Sequence, residues 1–207
     1  MSSYMCVGLA LAYEEARERC EAAGFTRVQL ERQERDTRVW VRARRARTLP
    51  DWIRPRLRLL ICGLNPSLYA ADAGVPFARP GNRFWGAARA ARLIVHDRDP
   101  FDALSRGIGF TDCAKRATRR ASELRHDEYA AGLERLERQI QRYRPQAICF
   151  VGLDGWRRVR DRHAVAGWVT GGFGGRPAYL MPSTSGLNAH CNLADLTAHL
   201  RRALRGP

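Results

Sequence analysis

One asparagine in this 207-residue sequence stands where chemistry is expected. An apolar run, residues 59–62, stops at Gly63 and is followed by Leu64-Asn65-Pro66-Ser67. In open α/β sheets, ligands bind beyond the carboxyl ends of the strands, and a following proline restricts the backbone of Asn65. The pattern predicts a buried strand that ends in an active loop, with Asn65 at the sheet edge.

Two further loops have the composition of a binding site. Residues 74–85, GVPFARPGNRFW, are punctuated by proline and glycine and lead into a helix, for which Asn82 is the predicted N-cap. Phe77 on such a rigid loop favours stacking against a ligand, with packing in the core as the alternative. Residues 181–190, MPSTSGLNAH, place Leu187 on a loop of small polar residues, where a core role does not explain it.

These three segments, in this order, resemble the active-site motifs of the mismatch-specific uracil/thymine-DNA glycosylases. The resemblance runs from about Thr48 to the C-terminus and includes residues 109–112 and the apolar stretch 145–152. A GxNP loop alone would be a weak signal, whereas three ordered motifs with the right intervening elements are specific. The resemblance implies a monofunctional DNA glycosylase that hydrolyses the N-glycosidic bond of uracil mispaired with guanine and leaves an abasic site for base excision repair. Thymine and etheno-cytosine are further candidate substrates.

The resemblance assigns a step to each motif, because an enzyme must flip a base out of the duplex before it can cut the N-glycosidic bond. Asn65 would hold the attacking water, although a neutral amide orients a water and does not take its proton. Phe77 would stack on the flipped base. Leu64 and Ser67 would line the base pocket, and backbone N–H groups near Leu64 and Phe77 would hold the oxygens of the departing base.

Asp112 is a departure from the better-known relatives, which carry other polar residues such as Asn or Lys at this position. A carboxylate near Asn65 would accept the proton of the water or stabilise the oxocarbenium-like sugar. Alternatively, Asp112 caps a helix that begins near Cys113. Both interpretations are equally consistent with the sequence.

The third loop resembles the segment that enters the DNA minor groove in this family. Leu187 aligns with the intercalating wedge, and Gly186 would let the backbone approach the unpaired guanine. Ser183 or Ser185 would contact phosphate. His190 would contact phosphate or the opposite strand, or would cap the final helix. The loop joins the Met-Pro-Ser opening of one branch to the Gly-Leu tip of another, so the preference for the opposite base stays open.

The formal net charge of +15 favours a polyanionic partner, and double-stranded DNA with a mispaired or damaged base is the expected one. Of the 36 basic residues, Lys115 is the only lysine. Biased base composition of the coding DNA would explain arginine in place of lysine, but it does not explain the excess of positive charge. The run RARRAR, residues 42–47, is either a phosphate-contacting patch or a solvated connector, and taken alone it favours the connector.

Neither a cofactor nor a membrane is expected. The six cysteines are scattered without a CxxC pair, and Cys62 and Cys149 in apolar strands are predicted to be buried thiols rather than ligands of a metal or an iron–sulfur cluster. No stretch approaches the ~20 apolar residues of a membrane helix, and the start lacks the features of a signal peptide. We expect a cytoplasmic, nucleoid-associated monomer without cofactor or metal.

Strands that alternate with helices predict an α/β fold, with three α/β/α layers and a central, mainly parallel sheet. The strands are predicted at residues 57–62, 146–151 and 178–181, and the helices at 83–94, 101–106, 127–143, 156–162 and 192–204. This domain spans residues 48–207. Residues 1–47 are predicted to be an N-terminal extension of unknown role, with a helix at 10–23 and a hairpin of 25–30 and 38–42 across the turn 31–37.

Three other functions stay open from the sequence. A glycosylase for deaminated purines such as hypoxanthine or xanthine is the runner-up, because Asp112 and Ser67 alter the pocket. A non-catalytic protein that binds damaged or mispaired DNA would use the same wedge and basic surface. A Rossmann-like nucleotide-binding enzyme is disfavoured, because no GxGxxG follows the first strand.

Overall fold

A computed structural model gives the structure of the chain and describes residues 4–32 and 37–207. Within those residues, the elements in chain order are β1 (Tyr4–Leu9), α1 (Tyr13–Ala22), β2 (Phe25–Arg32), β3 (Val39–Arg45), β4 (Leu59–Gly63), α2 (Leu68–Ala73), α3 (Phe84–Ala90), α4 (Pro100–Ser105), β5 (Ile108–Asp112), a 3₁₀ turn (Ala121–Glu123), α5 (His126–Tyr143), β6 (Ile148–Val151), α6 (Leu153–Val159), β7 (Gly167–Trp168), β8 (Ala178–Met181) and α7 (Leu193–Arg205).

A five-stranded sheet in the order β5-β4-β6-β8-β7 forms the centre of the molecule. Strands β5, β4, β6 and β8 are parallel to their neighbours, and β7 pairs antiparallel with β8 at one edge. Every residue of β4 and β6 is buried. Parallel strands covered on both faces read as unbroken apolar runs, which is why the sequence predicted these two strands.

Helices cover both faces of this sheet and confirm the predicted α/β/α layers. On one face, α3 and α7 bury residues such as Trp85 and Leu200 against β4 residues Leu59 and Ile61. On the other face, α5 and α6 pack against residues that include Leu60 and Cys62. The thiols of Cys62 and Cys149 are buried, as predicted.

Several elements differ from their predicted extent. β5 and the short elements α2 and β7 had not been predicted as helices or strands, α3 ends at Ala90 instead of residue 94, and α6 spans Leu153–Val159 instead of 156–162. β5 contains Gly109, whose missing side chain lets Leu57 and the backbone of Trp52 approach closely. β5 is five residues long and includes Gly109 and Asp112, two residue types that are depleted in strands, so the pattern of residue types does not mark it as a strand.

The N-terminal extension is a three-stranded antiparallel sheet in the order β1-β3-β2, with α1 on one face. The predicted helix and hairpin are confirmed, and β1 is an additional strand. β3 runs to Arg45, so the connector interpretation of residues 42–47 is wrong for its first four residues. Part of the predicted turn, residues 33–36, lies outside the described residues.

The extension is tied to the larger sheet domain by ion pairs and backbone hydrogen bonds. Glu18 of α1 pairs with Arg138 at 3.3 Å and with Arg142 at 3.1 Å, both on α5. The N–H of Asp51 donates to the carbonyl of Ala22 at 2.8 Å. The domain boundary after residue 47 stays a prediction. Among the described residues, no helix is both long and apolar enough to cross a membrane.

Candidate active-site cleft

A cleft of about 470 Å³ opens at the carboxyl ends of β4, β5, β6 and β8. This is the edge where a parallel sheet with helices on both faces binds ligands. The cleft brings together eight of the ten residues predicted from the sequence: Leu64, Asn65, Ser67, Phe77, Asp112, Ser183, Ser185 and Leu187. Gly186 and His190 do not line it.

The side chain of Asn65 is held in one orientation by its own amide nitrogen. Nδ2 donates to the carbonyl of Arg116 at 2.9 Å, to Thr118 Oγ1 at 2.8 Å and to the carbonyl of Pro66 at 3.2 Å. No donor among the described residues contacts Oδ1. Because the nitrogen is occupied, the amide oxygen is the atom that accepts a hydrogen bond from a water or a substrate. No pattern in the sequence indicates the contact that Thr118 makes with Asn65.

Asp112 ends β5 and is almost completely buried, with 7% of its surface exposed. A Cβ placed on the neighbouring Gly63 would collide with Asp112 Oδ1, so the glycine makes room for this carboxylate. Burial raises the pKa of Asp112 to about 6, against the opposing effect of Lys115. No helix begins near Cys113, whose N–H instead donates to the carbonyl of Gly63 at 2.9 Å, so the helix-cap interpretation of Asp112 is wrong.

A buried charge network lies directly behind Asp112. The side chain of Asp51 is fully buried and pairs with Lys115 at 2.8 Å and with Arg135 at 3.0 Å, while Gln139 Nε2 donates to it at 2.9 Å. Arg135 also donates to the backbone carbonyl of Asp112 at 2.6 Å. Burial alone would raise the pKa of Asp51, but Lys115 and Arg135 hold it below its ordinary value. This network, which the sequence analysis missed, fixes the end of β5.

Phe77 lies at the boundary between the core and the cleft. Its ring stacks on the core residue Phe84, with 4.3 Å between centroids and 20° between planes, and it also lines the cleft. Its φ of +54° is a left-handed conformation that costs free energy for an aromatic residue. The indole N–H of Trp85 donates to the carbonyl of Pro76 at 2.7 Å and holds the preceding loop. The strain at Phe77 is therefore maintained by its surroundings.

The rest of the pocket offers backbone donors. The N–H groups of Leu64 and Phe77 have no hydrogen-bond acceptor within residues 4–32 and 37–207. Ser67 lies at the cleft, but its Oγ accepts the N–H of Ala70 at 3.1 Å and caps α2. The wall therefore presents two amide donors, while the Ser67 oxygen is already engaged by the backbone.

The third loop, residues 182–191, is called the wedge loop. Leu187 at its tip is 85% exposed, the highest value among the exposed large apolar side chains of the described residues. Ser183 Oγ accepts the N–H of Ser185, and Ser185 Oγ accepts the N–H of Leu187, both at 3.3 Å. The hydroxyl oxygens thus shape the loop, and these two bonds leave the hydroxyl protons available to an acceptor.

Arg83 anchors the wedge loop, a role that no pattern in the sequence indicates. Its guanidinium donates to the carbonyl of Ser185 at 3.0 Å, to that of Asn188 at 2.6 Å and to that of Cys191. Gly186 sits so close to Gly81 that a Cβ would lie 2.7 Å from the Gly81 carbonyl oxygen. The loop that carries Phe77 therefore supports the loop that carries Leu187.

Two predicted helix caps differ in the structure. His190 is exposed and its N–H donates to Asn188 Oδ1 at 3.2 Å, whereas Asn192 caps α7 by accepting the N–H of Asp195 at 3.0 Å. The cap interpretation of His190 is therefore wrong. Asn82 Oδ1 accepts the N–H of Phe84 at 2.9 Å, although the residue at the N-cap position itself is Arg83.

The cleft is lined by exposed arginines: Arg79, Arg119 and Arg120. Within the described part of the chain, no three His, Cys, Asp or Glu side chains are grouped as metal ligands would be. Comparison with protein families matches the chain to the model described as the uracil DNA glycosylase superfamily, over residues 50–205. That range is 156 of the 207 residues and includes every predicted site residue.

Proposed function

The chain belongs to the uracil-DNA glycosylase superfamily and is therefore a hydrolase that acts on N-glycosidic bonds in DNA; from this premise we propose that it removes uracil mispaired with guanine from double-stranded DNA. The observation that carries the proposal is that Asn65 and Asp112 line one cleft with Phe77 and Leu187. Thymine and etheno-cytosine opposite guanine are the further substrates of the proposal.

The wedge loop supports base flipping. A flipped nucleotide leaves a gap in the stack, and an apolar side chain inserted there offsets part of the unstacking cost of a few kcal/mol. Leu187 is exposed on a loop that Arg83 holds in place. The flipped base then lies against the ring of Phe77, since a flat pyrimidine stacks on an aromatic ring with about 1–3 kcal/mol per base.

Asn65 and Asp112 divide the work of activating water. Asn65 Oδ1 accepts a hydrogen bond from the water and sets its direction, because the amide nitrogen is engaged elsewhere. With a pKa of about 6, Asp112 is mostly ionised at pH 7.5 and able to take a proton. The water oxygen bonds to C1′ of the deoxyribose, the C1′–N1 bond breaks, its electron pair leaves with uracil, and the proton of the water passes to Asp112.

Departure of the base as an anion is favoured by the pocket wall. The free N–H groups of Leu64 and Phe77 donate to uracil oxygens, on which the negative charge develops. The contacts of Lys115 support a monofunctional reaction. The only lysine amine of the sequence is bound to the carbonyl of Leu49 and the carboxylate of Asp51, so it does not attack C1′.

The test is single-turnover release of base from an end-labelled duplex with one G·U pair, read as strand cleavage after alkali. The native protein gives product, and Asn65→Ala and Asp112→Asn each slow its formation by roughly 10²–10⁴-fold, the range for a lost acid–base or water-positioning group. Asp154→Asn is the matched control, because Asp154 is an exposed carboxylate on the same cleft. Its rate stays at the native value.

The same experiment separates the alternatives. Release from a duplex containing hypoxanthine but not from G·U would replace the proposal with a deaminated-purine glycosylase. Tight binding of a G·U duplex without release of any base would replace it with a non-catalytic damage binder. Unchanged rates in both Asn65→Ala and Asp112→Asn would overturn the proposed roles of these residues.

A further inference from the structure

The N-terminal sheet has one covered face and one open face. Val39, Val41 and Ala43 of β3 are buried against Ala16 and Cys20 of α1. The intervening residues of β3 point to the opposite side, because side chains alternate along a strand. This outer face of β3 is called the arginine face and consists of Arg38, just before the strand, with Trp40, Arg42 and Arg44.

The neighbouring strands add small or neutral residues to the arginine face. Register places Gly8 and Cys6 of β1 beside Trp40 and Arg42. On the other side, Gln29 and Thr26 of β2 lie beside Arg42 and Arg44, and Glu31 lies beside Trp40. Of the described residues in the three strands, only Glu31 adds a carboxylate to this face.

Among the described residues of the extension, four of the five acidic side chains belong to α1. Glu15 and Glu18 of α1 pair with Arg142 and Arg138 of the larger domain. These carboxylates dock the helix and do not reach across to the outer face of the sheet, since α1 covers the inner face. Within the described residues, the extension therefore carries its acidic groups mainly on α1 and a row of arginines on the outer face of the sheet.

Two side chains of the arginine face, Arg38 and Trp40, pack against each other. The guanidinium of Arg38 lies over the ring of Trp40, 5.4 Å from its centroid, and the ring itself packs over Gly8. Trp40 therefore serves as a platform for an arginine. Arg42 is exposed and Arg44 is half-buried. From Arg38 to Arg44 the row extends about 20 Å, which matches roughly six base pairs at ~3.4 Å each.

The chain that follows the arginine face continues to the cleft. After β3 ends, Arg47 pairs with Asp72 of α2 at 2.8 Å, and Thr48 donates to the carbonyl of Lys115. Leu49, four residues beyond the end of β3, lines the cleft. We propose that the arginine face is a second DNA-contact surface, which binds the backbone phosphates of the intact duplex beside the lesion. The proposal goes beyond the reaction at the cleft and requires only that DNA is the partner.

The test uses the double variant Arg42→Gln/Arg44→Gln of the full chain and an undamaged 30-base-pair duplex. Binding is measured over a series of salt concentrations. Each phosphate contact contributes about 0.9 to the slope of log K against log[salt], so loss of two contacts makes the slope shallower by about 1.8. Each single substitution gives about half of that change. Arg42→Lys/Arg44→Lys keeps the charges and retains most of the native slope.

The matched control is Arg56→Gln/Arg144→Gln, which removes the same charge from two exposed residues that precede β4 and β6, at the sheet edge opposite the cleft. Its slope stays native. Base release from G·U at saturating protein is measured separately and is unchanged in Arg42→Gln/Arg44→Gln, so a failure of the proposed reaction does not affect the binding result.

Three outcomes would overturn the proposal. The first is an equal slope for the arginine-face variant and the native protein, both folded by circular dichroism. The second is an equal loss in the Arg56→Gln/Arg144→Gln control, which would show a general charge effect. The third is a loss confined to single-stranded DNA or RNA, which would assign the surface to base stacking or to another nucleic acid.

Discussion

At the scale of single residues, the most informative group is the buried carboxylate of Asp112. It lies at the cleft where the better-known relatives of this family have a neutral amide or an amine, and burial raises its pKa to about 6. A carboxylate with that pKa acts as a base near neutral pH and loses this ability in mild acid. Rate and stability should therefore both depend on pH through this one residue.

The first prediction concerns the rate. In the native protein, the single-turnover rate constant on G·U should rise with pH up to about 6 and then level off, because Asp112 becomes ionised. In Asp112→Asn the rate should be lower and flat over pH 5–8. Rates measured over that range check this. A native profile without an inflection, or one that Asp112→Asn retains, would exclude Asp112 as the titrating base.

The second prediction concerns stability. The folded protein favours the protonated form of Asp112, since its pKa is raised from 3.8 to about 6. The stabilisation is complete below pH 4 and is lost as the pH rises through 6, so at pH 8 the ionised group costs up to ~3 kcal/mol. Asp112→Asn should raise the free energy of unfolding by about 1–2 kcal/mol at pH 8 and by nothing at pH 4. Urea unfolding at both pH values measures it, and an equal effect at both would refute the argument.

At the scale of elements, the wedge loop depends on Arg83. This side chain donates hydrogen bonds to three carbonyl groups of the loop, each more than 100 residues away in sequence. Arg83→Met keeps the length of the side chain and removes its donors. The third prediction is that this variant and Leu187→Ala both slow base release from duplex G·U by roughly 10–100-fold, since an error of about 1 Å in placement costs this much.

Single-stranded DNA provides the contrast for that prediction. A uracil there needs no wedge, so both variants should act on it at nearly the native rate. Arg79→Met is the control, because Arg79 is an exposed arginine of the same loop that lines the cleft without holding the wedge loop. If Arg83→Met lost activity equally on both substrates, its role would be general folding and not support of the wedge.

The elements that could be predicted from the sequence are those with a regular pattern of apolar residues within a short segment. The apolar runs of β4 and β6 and the helical spacing of Leu133, Leu136 and Ile140 in α5 depend on burial alone, and burial is visible in residue type. The motifs likewise placed Asn65, Phe77 and Leu187 at one cleft. The role of Arg83 was not predicted because the side chain binds carbonyl groups that are distant in sequence. In a chain with many arginines, residue type alone does not indicate such a contact.

At the scale of the whole molecule, the Asp51 network joins three separate parts of the chain. Asp51 precedes β4, Lys115 follows β5, and Arg135 and Gln139 belong to α5. The positive charges of Lys115 and Arg135 are therefore both balanced by the buried carboxylate of Asp51. The sequence showed only that Lys115 is the sole lysine, and it did not show what that lysine contacts.

The fourth prediction follows from this arrangement. Asp51→Asn leaves Lys115 and Arg135 without their counter-charge and should lower the free energy of unfolding by about 3–5 kcal/mol, as breaking a buried ion pair does. Urea unfolding at pH 7 tests this. Asp72→Asn is the matched control, because it removes an exposed carboxylate that pairs with Arg47, and its stability should not change measurably. A small effect of Asp51→Asn would show that the network is hydrated.

Gly63 places a constraint on how this protein can vary. Because the missing side chain of Gly63 leaves the space that the Asp112 carboxylate fills, positions 63 and 112 share one volume across two adjacent strands. An alanine at 63 would force the Asp112 carboxylate out of its present position, whereas a smaller residue at 112 would leave room for it. Substitutions at the two positions should therefore be non-additive.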